Sequence, residues 1–261
     1  MAWKVSERLR KILKNTHLGP GIVTGASDDD PSGIATYSQA GAAFGLNTLW
    51  TALVTYPFMA SIQEMCARIG LVTGEGLTGV IKRNYSRSLL WVMIAVSFPA
   101  ITLNIGAALA GMGAVANLLI PQVHANIFSL FFGLLLLFNI IALSYTRIAR
   151  ILKWLCLTLL GYLIVPFLVH QDWPAVFRHT LIPVITWDKE YLAIIVGILG
   201  TTISPYLFFW QTSVEVEEVQ ANHIVVDKHI IRDMRKDVRT GIFFSNLVFY
   251  FIILSLSLIH I

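Results

Sequence analysis

Two short polar phrases interrupt otherwise apolar stretches of the chain, and both carry groups that could handle a cation. The first is Asp28-Asp29-Asp30-Pro31-Ser32-Gly33, set in LGPGIVTGASDDDPSGIATYSQAGAAFG. The second is Thr201-Thr202-Ile203-Ser204-Pro205-Tyr206, set in YLAIIVGILGTTISPYLFFWQTSVEV. A charged side chain at mid-bilayer costs several kcal/mol on insertion scales, so consecutive carboxylates there call for cations or water. Pro31 removes a backbone donor and Gly33 frees the backbone, so a helix unwinds between them. Unwound backbone at membrane depth survives only against protein or a cavity. A loop between two short re-entrant helices is the competing reading of the first phrase. The length of the segment and the uncharged connection after it argue against that loop. For the second phrase, the competing reading is a plain proline kink whose freed carbonyls are satisfied by Thr and Ser hydroxyls.

The elements that carry these phrases are membrane spans. The chain has 261 residues, 56% hydrophobic and 13% charged, with a mean hydropathy of +0.70. Soluble domains carry roughly 25% charged residues, and a water-soluble fold cannot hide this much apolar surface. The net charge of +4 does not mark a nucleic-acid binder, because the basic residues lie between apolar runs and orient the chain instead. Residues 1–17 are polar and basic and show no apolar core before a cleavage site, so they read as a cytoplasmic tail rather than a signal peptide. Cys66 and Cys156 read as buried small hydrophobes without a disulfide.

Seven segments are long and apolar enough to span, near 19–45, 48–69, 89–118, 125–144, 149–169, 190–219 and 240–258. Lys and Arg in the successive connections number five, none, four, none, three, two and five, counting the N-terminal tail first. That alternation follows the positive-inside rule with the N-terminus in the cytoplasm of a multi-pass cell-membrane protein. The 170–189 connection, with two prolines and two tryptophans, reads as an irregular outer loop anchored by aromatics. The 221–239 connection mixes apolar and charged residues and reads as an interfacial helix.

The breaks lie in the first and sixth spans, five spans apart. This is the spacing of five-helix units that repeat in inverted orientation and place a substrate between discontinuous helices. The expected fold is therefore all-α and integral to the membrane, a LeuT-like inverted-repeat transporter fold with helices 1 and 6 broken. Its transmembrane domain covers 18–258. Such a pair of units needs about ten spans. Stopping after seven reads as truncation, with 259–261 at the cut end.

At these residues the chain resembles the NRAMP family of divalent metal transporters. Asp30-Pro31-Ser32-Gly33-Ile34-Ala35-Thr36-Tyr37-Ser38-Gln39-Ala40-Gly41 is similar to the family phrase Asp-Pro-Gly-Asn followed by Phe-Ala-Thr-x-x-Gln-Ala-Gly. Ile62-Gln63 with Ala67-Arg68, Gly70 and Thr73-Gly74 continues the likeness in the second span. The resemblance implies a metal site built from the first motif, a backbone carbonyl and a Met thioether in the sixth helix. Carried over by position, Asp30 keeps the carboxylate, Gly33 stands for an Asn, Thr201 takes the carbonyl place, Ser204 replaces the Met and Tyr206 replaces a His. Those departures resemble the NRAMP-related branch associated with Mg2+. Oxygen donors with water suit Mg2+, Ca2+ or Mn2+, while thioethers select softer metals. Mg2+ keeps several waters, for which small Gly33 and Ser204 leave room.

The expected ligands are Asp30, Gly33, Thr201 and Ser204, with Asp28, Asp29, Gln63 and Tyr206 lining the path or standing behind them. The metal is the substrate and no cofactor is expected. The lipid bilayer is the surrounding partner, no nucleic acid is involved, and nothing in the chain speaks to oligomeric state. Asn104 and Asn139 read as interhelical hydrogen-bond partners, with substrate contact as the alternative. The glycines at 106, 111 and 113 read as close-packing positions. Glu64, beside Gln63 at the inner end of span two, reads equally as part of the inward path and as a solvated helix end. Glu215, Glu217 and Glu218 read as a solvated face, the alternative being a second ion site. No Asp or Glu occurs between Glu75 and Asp172, so spans three to five hold no carboxylate for a proton relay. An intramembrane aspartyl enzyme is disfavoured, because Asp28 to Asp30 are contiguous and no other span core carries a carboxylate. Proton-coupled Mn2+/Fe2+ symport and a non-transporting metal receptor are the other readings.

Overall fold

The computed structural model describes residues 25, 28–143, 158–159, 161–222 and 226–259, with backbone alone at 221 and 222. The basic tail at 1–17, the Arg147, Arg150 and Lys153 turn, and Cys156 lie outside the described residues. Among the described residues there is no strand. Helix α1 spans Pro31–Phe44, α2 Trp50–Thr73, α3 Leu77–Asn84, α4 Arg87–Leu119 and α5 Ala125–Ala142. After these come α6 at Gly161–Leu168, α7 at Trp173–Leu181, α8 at Lys189–Thr202, α9 at Pro205–Asn222 and α10 at Lys228–Ser257. By length and composition α4, α5, the α8–α9 pair and α10 are able to cross a membrane.

Both interruptions occur at proline. Pro31 sits at the start of α1, where its missing N–H would be unsatisfied in any case. Pro205 opens α9, and α8 ends three residues earlier, with Ile203 outside helical geometry at φ −99° and ψ 60°. The carbonyls freed at that end are taken up locally. Ser204 Oγ donates to the Thr201 carbonyl at 2.6 Å and lies 3.1 Å from that of Gly200, and Thr202 Oγ1 donates to Ile198 at 2.7 Å. The hydroxyls thus do what a kink needs, yet the chain leaves helix altogether at 203–204 rather than bending through it.

Helix α10 is the central post. Its buried Val248, Phe249, Ile252, Ile253 and Leu254 close on Tyr37 and Ala40 of α1, Ala52 of α2 and Ile198 of α8. Further along the same helix, Met234, Val238 and Ile242 meet Met59, Ala60, Ala67 and Leu71 of α2. This continuity corrects the expected interfacial helix at 221–239, since residues 228–239 are the first turns of one thirty-residue helix. The apolar positions 234, 238 and 242 recur every four residues, so the core-facing stripe passes straight through the charged segment. The charges occupy the other faces. Arg235 Nε lies 2.5 Å from Glu64 Oε1, and Arg239 Nη2 lies 3.0 Å from Glu64 Oε2, tying α2 to α10. Glu64 is therefore an ion-paired residue rather than a solvated helix end.

The 170–189 connection is also more ordered than expected, because it contains α7. Asp172 accepts from the Ala175 N–H at 3.3 Å, and a proline occupies the first helical turn, a standard pair of start signals. Helices α4 and α5 form an antiparallel hairpin, and no residue of α5 is buried. A Cβ on Gly113 would collide with Ser129 and the Ala125 carbonyl, so that glycine lets α4 and α5 approach, whereas Gly106 faces open space. Cys66 is buried and unpaired, as expected.

Asp227 caps α10 and lies outside the membrane-spanning segments. It accepts from the N–H groups of His229 and Ile230, both at 2.8 Å. The bond from Ile230 is the largest influence holding its carboxyl below the ordinary carboxylate range. A depressed value means that the cap's contribution is complete above the ordinary range and is lost as pH falls through the lowered value. The protection factors of the His229 and Ile230 amides, taken against intrinsic exchange at each pH, are therefore expected to fall on acidification and in Asp227→Ala at neutral pH. Equal protection in wild type and variant would show that the cap does not hold the first turn.

Candidate functional site

Asp30 stands where the chain enters α1, at φ −75° and ψ 169°, and serves as the N-cap of that helix. Its Oδ1 accepts the Gly33 N–H at 2.7 Å, an ordinary capping bond that also sets the carboxylate against the positive end of the helix. Capping alone does not account for Oδ2. That oxygen accepts from Asn104 Nδ2 of α4 at 2.8 Å and from the Tyr206 hydroxyl of α9 at 3.1 Å. Ser32 Oγ lies 2.7 Å from Asp30 Oδ1 and 2.7 Å from Asn104 Oδ1. Donors from the first break, the second break and the third expected span thus converge on one carboxylate.

The remaining expected ligands gather around this point to different degrees. A Cβ at Gly33 would press on the Tyr37 ring at 3.3 Å and on Asp30 Oδ1 at 3.4 Å, so the position is kept small by its neighbours. Thr201 Oγ1 reaches the Tyr37 hydroxyl at 3.4 Å, which bridges the second break to the buried ring beside Gly33. The Thr201 carbonyl, the expected ligand atom, accepts from Ser204 Oγ, and Ser204 is itself buried. Tyr206 donates its hydroxyl to Asp30 and so stands directly behind that carboxylate.

No hydrogen bond joins the side chains of Asp28, Asp29 or Gln63 to Asp30 among the described residues. Asp28 Oδ2 accepts from Ser245 Oγ of α10 at 2.8 Å, so this carboxylate faces α10 rather than α9. Asp28 Oδ1, Asp29 Oδ1 and both amide atoms of Gln63 are buried without a hydrogen-bond partner among the described residues. Glu215 corrects the expectation of a solvated face. It is 3% exposed, with Gln211 Nε2 donating to its Oε1 at 2.8 Å, while Glu217 remains exposed. Among the described residues, no group of three or more His, Cys, Asp and Glu side chains is gathered to hold a metal. A cation at the breaks would rest on Asp30 with carbonyl, hydroxyl and water oxygens.

Asn104 joins α4 to the carboxylate, which is the interhelical hydrogen bond expected of it. Its one available signal was an amide side chain in an otherwise apolar span, and that signal does not say which partner it meets.

A helical membrane protein with two interrupted helices whose breaks meet at a single carboxylate is the class that this fold and site define. The model of the Nramp family, described as natural resistance-associated macrophage protein-like, matches residues 21–258, and the chain belongs to that family. It is 28% identical over 227 residues to the divalent metal cation transporter MntH of Burkholderia ambifaria, covering 85% of this chain and 50% of that protein. The MntH of Verminephrobacter eiseniae is 30% identical over 199 residues, covering 73% of this chain and 44% of the relative. The chain spans about half the length of these curated relatives. A crystal structure of a mutant manganese transporter of Eremococcus coleocola superposes with a TM-score of 0.73 at 19% identity, covering 93% of this chain and 50% of that one. Likeness at that identity establishes the fold.

Proposed function

We propose that the protein carries divalent metal cations across the cell membrane, with Mg2+ or Mn2+ favoured, and that this movement is not coupled to protons. The observation that carries the reading is the convergence on Asp30 of groups from both breaks and from α4. Broken helices whose freed polar ends face one point near the middle of the membrane are how a substrate is held between two halves that rock around it. The names of the MntH relatives support the substrate class. The expected ligands are Asp30, Gly33, Thr201 and Ser204, with Asp28, Asp29, Gln63 and Tyr206 along the path. The topology is seven spans in this chain with the N-terminus in the cytoplasm. The protein acts as a carrier rather than an enzyme.

The hardness of the donors supports the ion preference. Neither break contains a thioether or thiolate, and oxygen donors with retained water match Mg2+ and Mn2+ better than softer ions. The absence of any Asp or Glu between Glu75 and Asp172 supports uncoupled flux, since a relay needs groups that titrate within the membrane. Tyrosine, ordinarily near pKa 10, is a poor relay at neutral pH where the resembled family has histidine. For a divalent ion the membrane potential alone supplies about 4.6 kcal/mol per 100 mV.

Proteoliposomes holding this site in a chain of the relatives' full length, with a trapped pH dye and competing Mg2+, Mn2+ and Ca2+, test these points together. The expected result is saturable, potential-driven metal flux without internal acidification. Acidification that tracks metal uptake, with charge leaks controlled, overturns the uncoupled reading in favour of symport. Tight binding without flux favours a receptor.

A further inference from the structure

We propose that Ser32 and Asn104 form a hydrogen-bond switch that frees Asp30 for the arriving cation, with Asn104 as its positioning residue; this rests on the reading of Asp30 as the metal's anionic ligand. A carboxylate offers about four lone-pair sites. In the structure all four are spoken for, by the Gly33 N–H, the Ser32 hydroxyl, the Asn104 amide and the Tyr206 hydroxyl. Direct coordination therefore requires one donor to leave, and the four donors are not equally free to go.

The Gly33 N–H is fixed by the first turn of α1, and its departure would undo the cap. The Asn104 amide is held in one orientation by charge. An ionised carboxylate has no proton to give, so Nδ2 must face Asp30, which turns Oδ1 toward Ser32. Ser32 alone among these donors has a second acceptor at the same distance, with its Oγ 2.7 Å from both Asp30 Oδ1 and Asn104 Oδ1. It owns one proton. Turning that proton from Asp30 to Asn104 keeps the hydroxyl bonded and bares a lone pair on Asp30 Oδ1. The same rotation leaves the Ser32 oxygen free to accept, so the donor that blocked the carboxylate becomes an oxygen ligand beside it.

Asparagine at 104 is what makes the exchange cheap, because it supplies the waiting acceptor and the opposing donor from one rigid amide. A leucine removes both. A leucine bares the Asp30 Oδ2 site that the amide held, but it leaves the Ser32 proton on Oδ1 with no second acceptor, so the metal loses the Ser32 oxygen as a ligand. The pair therefore acts on affinity through Asp30, and the two residues act as one unit.

The test measures Mn2+ affinity by titration calorimetry on the protein in lipid nanodiscs, with metal-free thermal stability recorded in parallel. Asn104→Leu and Ser32→Ala are each expected to weaken Mn2+ binding about tenfold. The double variant should weaken it little more than the worse single, since residues in one network are not additive. Ser32→Thr, which keeps the hydroxyl, is expected to recover most of the affinity lost in Ser32→Ala. A helix-packing role for Asn104 would lower thermal stability and leave affinity unmoved, and that outcome overturns the switch. Multiplying losses in the double variant overturn it as well. Should Asn104→Leu fail to fold, Ser32→Ala against Ser32→Thr decides, and equal affinities sink the proposal. Asp30→Ala is carried alongside. If it binds Mn2+ as tightly as the wild type, the underlying site reading falls; if it abolishes binding while the Ser32 and Asn104 variants bind normally, only the switch falls.

Discussion

Asp30→Ala is expected to abolish measurable binding of Mg2+ and Mn2+, weakening Kd at least a hundredfold, which corresponds to about 2.7 kcal/mol or more. The size follows from what the substitution leaves behind. The groups aimed at Asp30 are the Gly33 N–H, the Asn104 amide N–H, the Tyr206 hydroxyl and the Ser32 hydroxyl, all of them donating to it. Without the carboxylate a cation meets the positive ends of these dipoles and of helix α1. Alanine also removes an N-cap, a loss of about 1 kcal/mol in helix stability, so weakened binding by itself could reflect a frayed α1. Asp30→Asn separates the two effects, because asparagine caps as well as aspartate but carries no charge. The expected pattern is lost binding in both variants, with amide protection in the first turn of α1 kept in Asp30→Asn. If Asp30→Asn bound metal within tenfold of the wild type, Asp30 would be a cap and nothing more.

The same double duty explains which parts of the architecture the sequence announces. Asp30-Pro31 and Ser204-Pro205 mark helix starts by local chemistry alone, a short polar side chain before a residue with no N–H to satisfy. Both breaks are therefore legible to within a residue or two. Asp172-Trp173-Pro174 carries that same signal for α7, but a second proline and two tryptophans nearby made the segment read as irregular. In α10 the charges at 228, 232, 235, 236 and 239 suggested a separate surface helix. The period of Met234, Val238 and Ile242 was the better guide, because the face a helix buries is set by spacing and not by average polarity. Glu215 and Glu64 were misjudged for a different reason. Whether a carboxylate is solvated depends on its neighbours. Glu215 is covered where Gly70 of α2 lets α9 come close, and Glu64 is met by two arginines 171 and 175 residues away. For Asn104 the interhelical bond was legible and the partner was not. Its partners lie 72 and 74 residues distant, and no local pattern encodes a contact between the first break and the third span.

Ser204→Met is expected to shift ion preference toward Mn2+ and Cd2+ relative to Mg2+, by an order of magnitude or more in the ratio of affinities. Two changes act together at this position. The serine hydroxyl now donates to the Thr201 carbonyl at 2.6 Å and lies 3.1 Å from the Gly200 carbonyl, so its removal releases an oxygen expected to face the ion. Methionine then brings a soft, polarisable sulfur into a set of hard oxygens, and softer metals gain from that exchange while Mg2+ does not. Bulk is the confounding effect, since Ser204 is buried and a longer side chain must displace something, water around the ion included. Mg2+ suffers most from such crowding because it releases water reluctantly. Ser204→Leu supplies the control, with comparable bulk and no sulfur. Both variants are expected to bind Mg2+ less tightly, but only Ser204→Met should gain affinity for Cd2+, and titration of the two proteins with Mg2+, Mn2+ and Cd2+ separates the cases. Equal behaviour of Met and Leu would place selectivity in the size of the site rather than in its ligand atoms. Tight Cd2+ binding by the unmodified protein would remove the hard-donor argument altogether.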